Sequence, residues 1–238
     1  MKVSLFENLY RRNIRIENRN KMFKKIGAEN IKKNIKKMFV FFINIFNKNN
    51  IKVIPWDGTL LGIVRDKDII CFDDDLDLLL DVNDFDKVEK IIIDFAQKDP
   101  NRYDYFVNKS NGYLFPCRIY LHDKKTEFHL DCDFYSKENK QVRILYNIHI
   151  STFFGDAGAT INKYNCEDFF PLREKKFLKK KIFIPSNYHQ ILELRYGKSW
   201  NIPLYNCRNT KKCICKKNKR YKYTKKQKFL QKKSIYFE

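Results

Sequence analysis

The stretch that decides the fold spans residues 53–82 and reads VIPWDGTLLGIVRDKDIICFDDDLDLLLDV. Its first half sets small residues at a glycine turn, and its second half is an acidic cluster that enters an apolar strand. The chain has a formal net charge of +21, yet four aspartates are concentrated here: Asp73, Asp74, Asp75 and Asp77. A local charge so opposed to the overall charge calls for a chemical explanation.

Alternation along a strand over residues 75–82 separates this cluster from the apolar residues. Successive strand side chains point to opposite faces, so the carboxylates oppose the leucines: Asp73, Asp75 and Asp77 against Leu76, Leu78 and Leu80. Carboxylates this close raise each other's pKa unless a cation lies between them. Because oxygen ligands favour magnesium or manganese over zinc, the cluster predicts an Mg²⁺ or Mn²⁺ site.

Two alternative interpretations of the aspartates remain open at this stage. A short run of aspartates can be a solvated turn, although here it is joined to an apolar strand. A calcium loop would use Asp73, Asp75 and Asp77 at its first three ligand positions, but its required glycine is replaced by Leu78 and the next positions are apolar.

A second acidic strand is predicted in FHLDCDFY, residues 128–135. There Asp131 and Asp133 share one face, and phosphoryl chemistry with metal ions commonly uses such an additional carboxylate. One of the two could also accept a proton from an attacking hydroxyl. Asp131 and Asp133 are therefore candidate site residues.

The DGTLLG segment predicts a phosphate-binding turn that opens a short helix over residues 57–65. Gly58 allows a phosphate to approach the backbone, Thr59 offers a hydroxyl, and the first amides of a helix attract anions. Arg65 follows at the end of that helix. These three residues are predicted to contact the phosphates of a phosphorylated donor substrate.

The wider pattern predicts an α+β fold. Helices are expected at residues 29–48, 57–65, 84–97 (capped by Asn83) and 187–196, and strands at 51–55 and 75–82. The segments GYLFPCRIYL and TEFHLDCDFY are expected to form antiparallel strands. The first helix is amphipathic, which favours packing on the core over binding at a membrane surface.

Composition predicts one domain with two basic ends: an arm over residues 1–28, a domain over 29–206 and a tail over 207–238. The tail carries thirteen Lys and Arg residues against one acid, which favours contact with an anionic polymer or membrane surface. The longest apolar run, residues 38–46, is about half of a membrane span. With no apparent signal segment, we expect a cytoplasmic protein without a transmembrane span.

Three segments of the chain resemble the LicD/fukutin family. WDGTLLGIVRDKDIICFDDDLDLLL is similar to its GTLLG-x-x-R segment and acidic strand, and LDCDFY to its later hydrophobic-Asp strand. FFPLREKKFLKKKIFIPSNYHQILELRYGKSWNIP is similar to its closing segment. The resemblance covers roughly residues 35–203. Three positions depart from the pattern: Phe72 replaces a usual Trp, Asp133 is an extra acid, and LKKK replaces a common glycine in the closing hairpin.

The resemblance implies a nucleotidyltransferase-like mixed β-sheet packed with helices. It also implies a transferase that moves phosphocholine, ribitol phosphate or a similar group from a CDP-linked donor to a glycan hydroxyl. By motif, Asp75 and Asp77 would be the main metal ligands and Asp131 the third carboxylate. The metal would be magnesium or manganese.

Two rival functions are consistent with the same sequence. A nucleotidyltransferase acting on RNA or another nucleotide acceptor would use the same carboxylates and the basic surface. The chain has little room for the additional nucleotide-base or RNA-binding domain that it would need. An inactive binder of nucleic acid or anionic membranes would use the tail alone. The presence of Asp75, Asp77 and Asp131 argues against a decayed site.

Overall fold

The structure is a computed structural model that describes residues 27–70, 73–108, 117–126, 128–145 and 163–202. The predicted basic tail, residues 207–238, and nearly all of the predicted arm, residues 1–28, lie outside these ranges. Both therefore stay predictions.

The helices lie close to their predicted positions. They are α1 (Ala28–Lys48), α2 (Asp57–Leu61), α3 (Phe85–Ala96), α4 (Cys166–Phe169) and α5 (Tyr188–Tyr196). A π-helical turn at Gly62–Asp66 prolongs α2, and a 3-10 turn at Val82–Asp84 precedes α3.

The described strands form a mixed sheet and a separate hairpin. The sheet strands are β1 (Ile54–Pro55), β2 (Asp75–Asp81), β3 (Tyr103–Asn108), β4 (Arg118–Asp123), β5 (Phe128–Glu138), β6 (Gln141–Ile144) and β7 (Lys163–Asn165). The order is β1-β2-β5-β4-β3, with β6 joining β5 to β7. Only the β2–β5 pairing is parallel among these strands. Strands β8 (Arg173–Phe177) and β9 (Lys180–Ile184) form the hairpin. This arrangement confirms the α+β prediction.

One face of the sheet is covered by the amphipathic helices α1 and α3. Helix α1 turns its apolar side to the sheet and buries Ile31, Ile35, Phe39, Phe42, Ile43 and Phe46. Strand β2 contributes the three leucines predicted for this core: Leu76, Leu78 and Leu80. Each such side chain stabilises the fold by about 1.5–3 kcal/mol on burial. Helix α1 is thus a core helix.

The opposite face is covered only in part. Leu79 belongs there, in a second apolar cluster with Trp56 of the turn before α2 and residues of α4 and α5 such as Phe169 and Ile191. The cluster covers the carboxyl-terminal half of β2. The two acidic residues at the start of β2, Asp75 and Asp77, are half-buried beyond its edge.

The segment between α2 and β2 is held close to both α1 and α2. The Asp68 carboxylate pairs with Lys32 Nζ at 2.9 Å and with Lys36 Nζ at 2.7 Å, both on α1. The Asp68 amide donates to the Gly62 carbonyl at 3.3 Å. A Cβ on Gly62 would lie 2.6 Å from the Asp68 carbonyl oxygen. The second glycine of DGTLLG is therefore required for close backbone packing.

Three local predictions were wrong in detail. The first strand is shorter than 51–55, because only Ile54 and Pro55 pair with β2. Asn83 does not cap α3; the Asp81 side chain accepts from its amide and so caps the 3-10 turn. Asp73 precedes β2 instead of lying on its face. Each error concerns a boundary, where tertiary pairing outweighs local pattern.

Among the described residues, no helix has the length and apolar character needed to cross a bilayer.

Candidate active site

The parallel pairing of β2 with β5 brings the two acidic strands together. Asp77 lies directly opposite Asp131, and Asp75 lies opposite His129. Residues opposite each other on neighbouring strands project from the same face. Asp75, Asp77 and Asp131 therefore share the face that carries the second apolar cluster, where Asp75 and Asp77 are half-buried and Asp131 is 5% exposed. Carboxylates separated by more than fifty residues in sequence form one site.

A group suited to a metal ion lies at the start of β2. Carboxylate oxygens of Asp73, Asp74 and Asp75 lie within 4.8 Å of one another. Asp74 is 5% exposed, and its carbonyl accepts from the His129 amide at 3.4 Å. The chemistry of this set, three carboxylates in close reach, fits a hard divalent cation. Asp73 and Asp75 were predicted as ligands, whereas Asp74 was missed.

The electrostatics of Asp77 show how crowded the negative charge is. Burial raises the pKa of Asp77 well above its usual range, and the carboxylates of Asp75, Asp57 and Asp131 raise it further. A nearby cation would reverse this effect, because it favours the ionised form. The neighbouring acids therefore disfavour the ionised form of Asp77.

Asp133 has a different role from its neighbour Asp131. Arg118 of β4 holds its carboxylate at both oxygens, from Nε to Oδ1 at 2.6 Å and from Nη2 to Oδ2 at 2.9 Å. Arg118 Nη1 also lies 3.3 Å from Asp131 Oδ2. Burial alone would lower the pKa of Arg118, but the two aspartates raise it overall, so the guanidinium stays charged. Asp133 thus holds the positively charged Arg118 guanidinium beside the acidic cluster.

A further carboxylate, Asp57, borders the site from the start of α2. Its φ of 40° lies in the left-handed region, which is strained for a residue with a side chain. Burial raises the pKa of Asp57 to about 6, against the opposing effect of Arg195 and with a further rise from Asp133. Strain and charge at one residue beside Gly58 are typical of a functional position.

Arg195 connects helix α5 to this residue. Its guanidinium forms an ion pair with Asp57, lies 5.5 Å from the Trp56 ring centroid, and donates to the Tyr164 hydroxyl at 3.4 Å. Helix α5 is therefore attached to the turn at Trp56 and Asp57 that begins α2.

The three residues predicted to bind phosphate lie in different surroundings. Gly58 faces Asp73, since a Cβ there would lie 3.2 Å from Asp73 Oδ2. The Thr59 hydroxyl is buried and accepts from the Asp77 amide at 2.9 Å. Arg65 donates from Nε and Nη2 to its neighbour Asp66, each at 2.8 Å. Gly58 and Thr59 thus contact the acidic cluster, and Arg65 has a carboxylate partner of its own.

Sequence reasoning missed four residues of this region: Asp57, Asp74, Arg118 and Arg195. Asp57 and Asp74 were visible as acids within the quoted stretch, next to the glycine and inside the aspartate run. Nothing local to Arg118 or Arg195 indicates a carboxylate partner. Their pairing depends on the β4–β5 register and on the docking of α5.

Comparison with known proteins places these residues in context. A family model described as LicD/FKTN/FKRP, nucleotidyltransferase domain, matches residues 50–187. An uncharacterized protein of Rickettsia typhi is 31% identical over 142 residues, which cover 59% of this chain and 38% of that relative. The chain thus spans well under half the length of the curated relative it matches.

A solved structure is also similar. The lincosamide antibiotic adenylyltransferase LnuA, crystallised with lincomycin bound, matches 84% of this chain and 96% of its own at 16% identity and a TM-score of 0.42. A likeness at this level carries no argument about fold or function.

Proposed function

The chain belongs to the LicD/FKTN/FKRP family and carries its nucleotidyltransferase domain, and from that premise we propose that it is a metal-dependent transferase. The reaction moves a phosphorylated alcohol, of the phosphocholine or ribitol phosphate type, from a CDP-linked donor to a hydroxyl of a glycan. The observation that supports this proposal most is the meeting of carboxylates from β2 and β5 beside the first turn of α2.

Magnesium or manganese is the cofactor we propose. Asp73, Asp74 and Asp75 would hold it at the start of β2, and Asp77 and Asp131 lie on the same face of the sheet. An all-oxygen set of carboxylates suits these cations. When bound, the metal would neutralise the charge of the donor diphosphate and polarise its phosphorus–oxygen bonds.

The donor diphosphate would lie against the turn at Gly58. With no side chain at that position, the backbone and the Asp73 carboxylate are in close reach of each other. Thr59 holds the Asp77 amide and so positions the turn against β2. Arg65 would bind a phosphate by sharing its guanidinium between that ligand and Asp66.

The proposed chemistry is an in-line displacement at the donor phosphorus that carries the alcohol. The acceptor oxygen forms a bond to this phosphorus, the bond to the bridging oxygen breaks, and CMP leaves with the electron pair. The acceptor proton passes to a carboxylate. The pairing of Asp133 with Arg118 favours Asp131 as that acceptor, because Asp133 is already held at both oxygens. Arg118 would stabilise the charge that develops nearby.

The proposed partners are a CDP-linked donor, a glycan or glycoconjugate acceptor and, through the basic tail, an anionic polymer or membrane surface. The tail lies outside the described residues, and the role proposed for it is electrostatic. It would bring the enzyme to the acceptor, whereas the carboxylates perform the transfer.

Metal binding is the first experiment. Calorimetry with Mn²⁺ should show binding to the wild type and at least a tenfold loss of affinity, about 1.4 kcal/mol, in the double variant Asp75→Asn with Asp77→Asn. Asp94→Asn is the matched control, since Asp94 is an exposed acid of α3 paired with Lys90. Equal affinity in all three proteins would remove the metal site from the proposal.

Measurement of turnover then distinguishes transfer from a CDP-alcohol from transfer of nucleotides to RNA. The wild type should release CMP from a CDP-alcohol in the presence of Mn²⁺ and a glycan acceptor. Transfer of nucleotides from ordinary NTPs to RNA, with none from any CDP-alcohol in a donor panel, would replace the proposal with the RNA-directed alternative.

A further inference from the structure

The face of the sheet that carries the acidic cluster continues toward the edge strand β3, where it becomes exposed at Phe106. Strand pairing places four residues in one line across β2, β5, β4 and β3: Asp77, Asp131, Tyr120 and Phe106. Directly opposed residues share a face, so all four side chains stand on the same side of the sheet. A charged half of the line thus passes directly into an aromatic half.

The neighbouring line supports the aromatic half with two further rings. His129 and His122 are opposed on β5 and β4, and their rings are stacked at 4.6 Å with an interplanar angle of 11°. Tyr120 lies 5.1 Å from His129 at 28°, and its hydroxyl forms a hydrogen bond with His129 Nδ1. These contacts fix the orientation of Tyr120 beside Asp131.

Phe106 is the exposed end of the line. It is 58% exposed, whereas Tyr103 and Val107 of the same strand pack against the core on the other face. A single exposed aromatic residue is ordinary on a protein surface. The position of Phe106, next to Tyr120 and in line with the site carboxylates, is what makes it informative.

We propose that Phe106 and Tyr120 form a stacking subsite for the nucleobase of a nucleoside diphosphate donor. The inference rests on the proposed function and adds the place of the base to it. Such a donor has an anionic diphosphate, which a divalent metal held by the carboxylates would bind, and a flat aromatic base, which suits the aromatic end of the line at Phe106. Two strand spacings, about 10 Å, separate the strands of those two residues, so one extended nucleotide would reach both.

The test compares two ligands on one variant and a matched control. Calorimetry in Mn²⁺ would measure CDP, which has a base, and inorganic pyrophosphate, which has none. Phe106→Ala should weaken CDP binding by about five- to a hundredfold, the range for loss of one base–aromatic stack, and leave pyrophosphate binding unchanged. Tyr105→Ala is the control, because Tyr105 is an exposed aromatic residue on the opposite face of the same strand. Phe106→Trp should restore CDP binding.

Each other outcome is decisive. Equal CDP affinity in the wild type and in Phe106→Ala would refute the subsite, as would an equal loss in Tyr105→Ala. A change confined to the Michaelis constant of the glycan acceptor would assign Phe106 to the acceptor and overturn the inference. If the wild type binds neither pyrophosphate nor CDP, the proposed function itself fails. If the wild type binds both ligands and Phe106→Ala changes neither affinity, only the stacking subsite is refuted.

Discussion

Gly58 and Gly62 lie in the same six-residue motif, but their surroundings differ. An added Cβ at Gly62 would lie 2.6 Å from a backbone carbonyl oxygen, which can move only with the main chain. An added Cβ at Gly58 would lie 3.2 Å from Asp73 Oδ2, the end of a side chain that can rotate. One glycine therefore serves the packing of the loop, and the other serves the site.

The two alanine variants should separate stability from metal affinity. Gly62→Ala should lower the free energy of unfolding by about 1–3 kcal/mol, the cost of an overpacked contact. Gly58→Ala should largely keep its stability but bind Mn²⁺ more weakly, because it displaces the Asp73 carboxylate. Denaturant unfolding and calorimetry on both proteins measure these effects. If Gly58→Ala instead lowers stability and Gly62→Ala weakens Mn²⁺ binding, Gly58 is the packing glycine and Gly62 the one beside the metal site.

The raised pKa values of Asp57 and Asp77 make stability depend on pH. A buried acid whose folded pKa is raised binds more protons in the folded state, so stability is highest at low pH and is lost as the pH rises. Burial raises the pKa of Asp57 to about 6, and the pKa of Asp77 is also raised well above its usual range. In EDTA, the midpoint of thermal unfolding should therefore fall as the pH rises from about 4 through 6.

Two comparisons test that pH dependence. Asp77→Asn should flatten the fall, because the amide cannot ionise, and should raise the midpoint near neutral pH. Saturating Mg²⁺ should flatten the fall in the wild type as well, because a bound cation favours the ionised carboxylates. An identical profile in wild type and variant would mean that Asp77 ionises without cost.

At the scale of elements, the site depends on how α2 is fixed to β2. The buried Thr59 hydroxyl accepts from the Asp77 amide at 2.9 Å, so a helix side chain satisfies a strand donor. Arg195 joins α5 to the same turn through Asp57 and Trp56. Strand β2 and helix α5, which are far apart in sequence, thus hold one short turn in place.

Thr59→Val should test this attachment with almost no change of volume. It leaves the Asp77 amide buried without its acceptor, which costs about 1–3 kcal/mol. Thr59→Ser, which keeps the hydroxyl, should retain most of the stability. Chemical denaturation of the three proteins measures the difference. If valine is as stable as serine, the hydrogen bond does not hold the turn.

At the scale of the whole molecule, acidic and basic residues are unevenly distributed along the chain. The site gathers carboxylates on one sheet face, while thirteen of the basic residues lie in the segment 207–238, with one acid. A local negative cluster in a chain of net charge +21 attracts cations, and the remaining surface attracts anions. A phosphorylated donor and an anionic acceptor surface would both be steered by this arrangement.

Truncation after Asn206 should separate these two roles. The shortened protein should bind Mn²⁺ and CDP as the full chain does and keep its activity on a small soluble acceptor. Its association with vesicles containing anionic lipid or with an anionic polymer should decrease, most clearly at low salt. Loss of CDP binding on truncation would show that the tail belongs to the site.

The sequence by itself determined the elements and the chemical character of the site. Apolar periodicity was sufficient for helix α1 and for the alternation of β2, because each buries a continuous stripe or face that leaves a regular pattern. The density of aspartates predicted a metal site, since a cation compensates the repulsion between like charges that lie close together. The order of three motifs indicated the family that the chain matches over residues 50–187.

Only the tertiary structure decided which residues meet. The parallel register sets Asp77 opposite Asp131, the β4–β5 register gives Arg118 to Asp133, and the docking of α5 gives Arg195 to Asp57. None of these pairs has a local signature, because each joins residues more than ten positions apart. A shift of one residue in a strand register would turn every such side chain to the other face. Packing of the whole chain fixes those registers and, with them, the composition of the site.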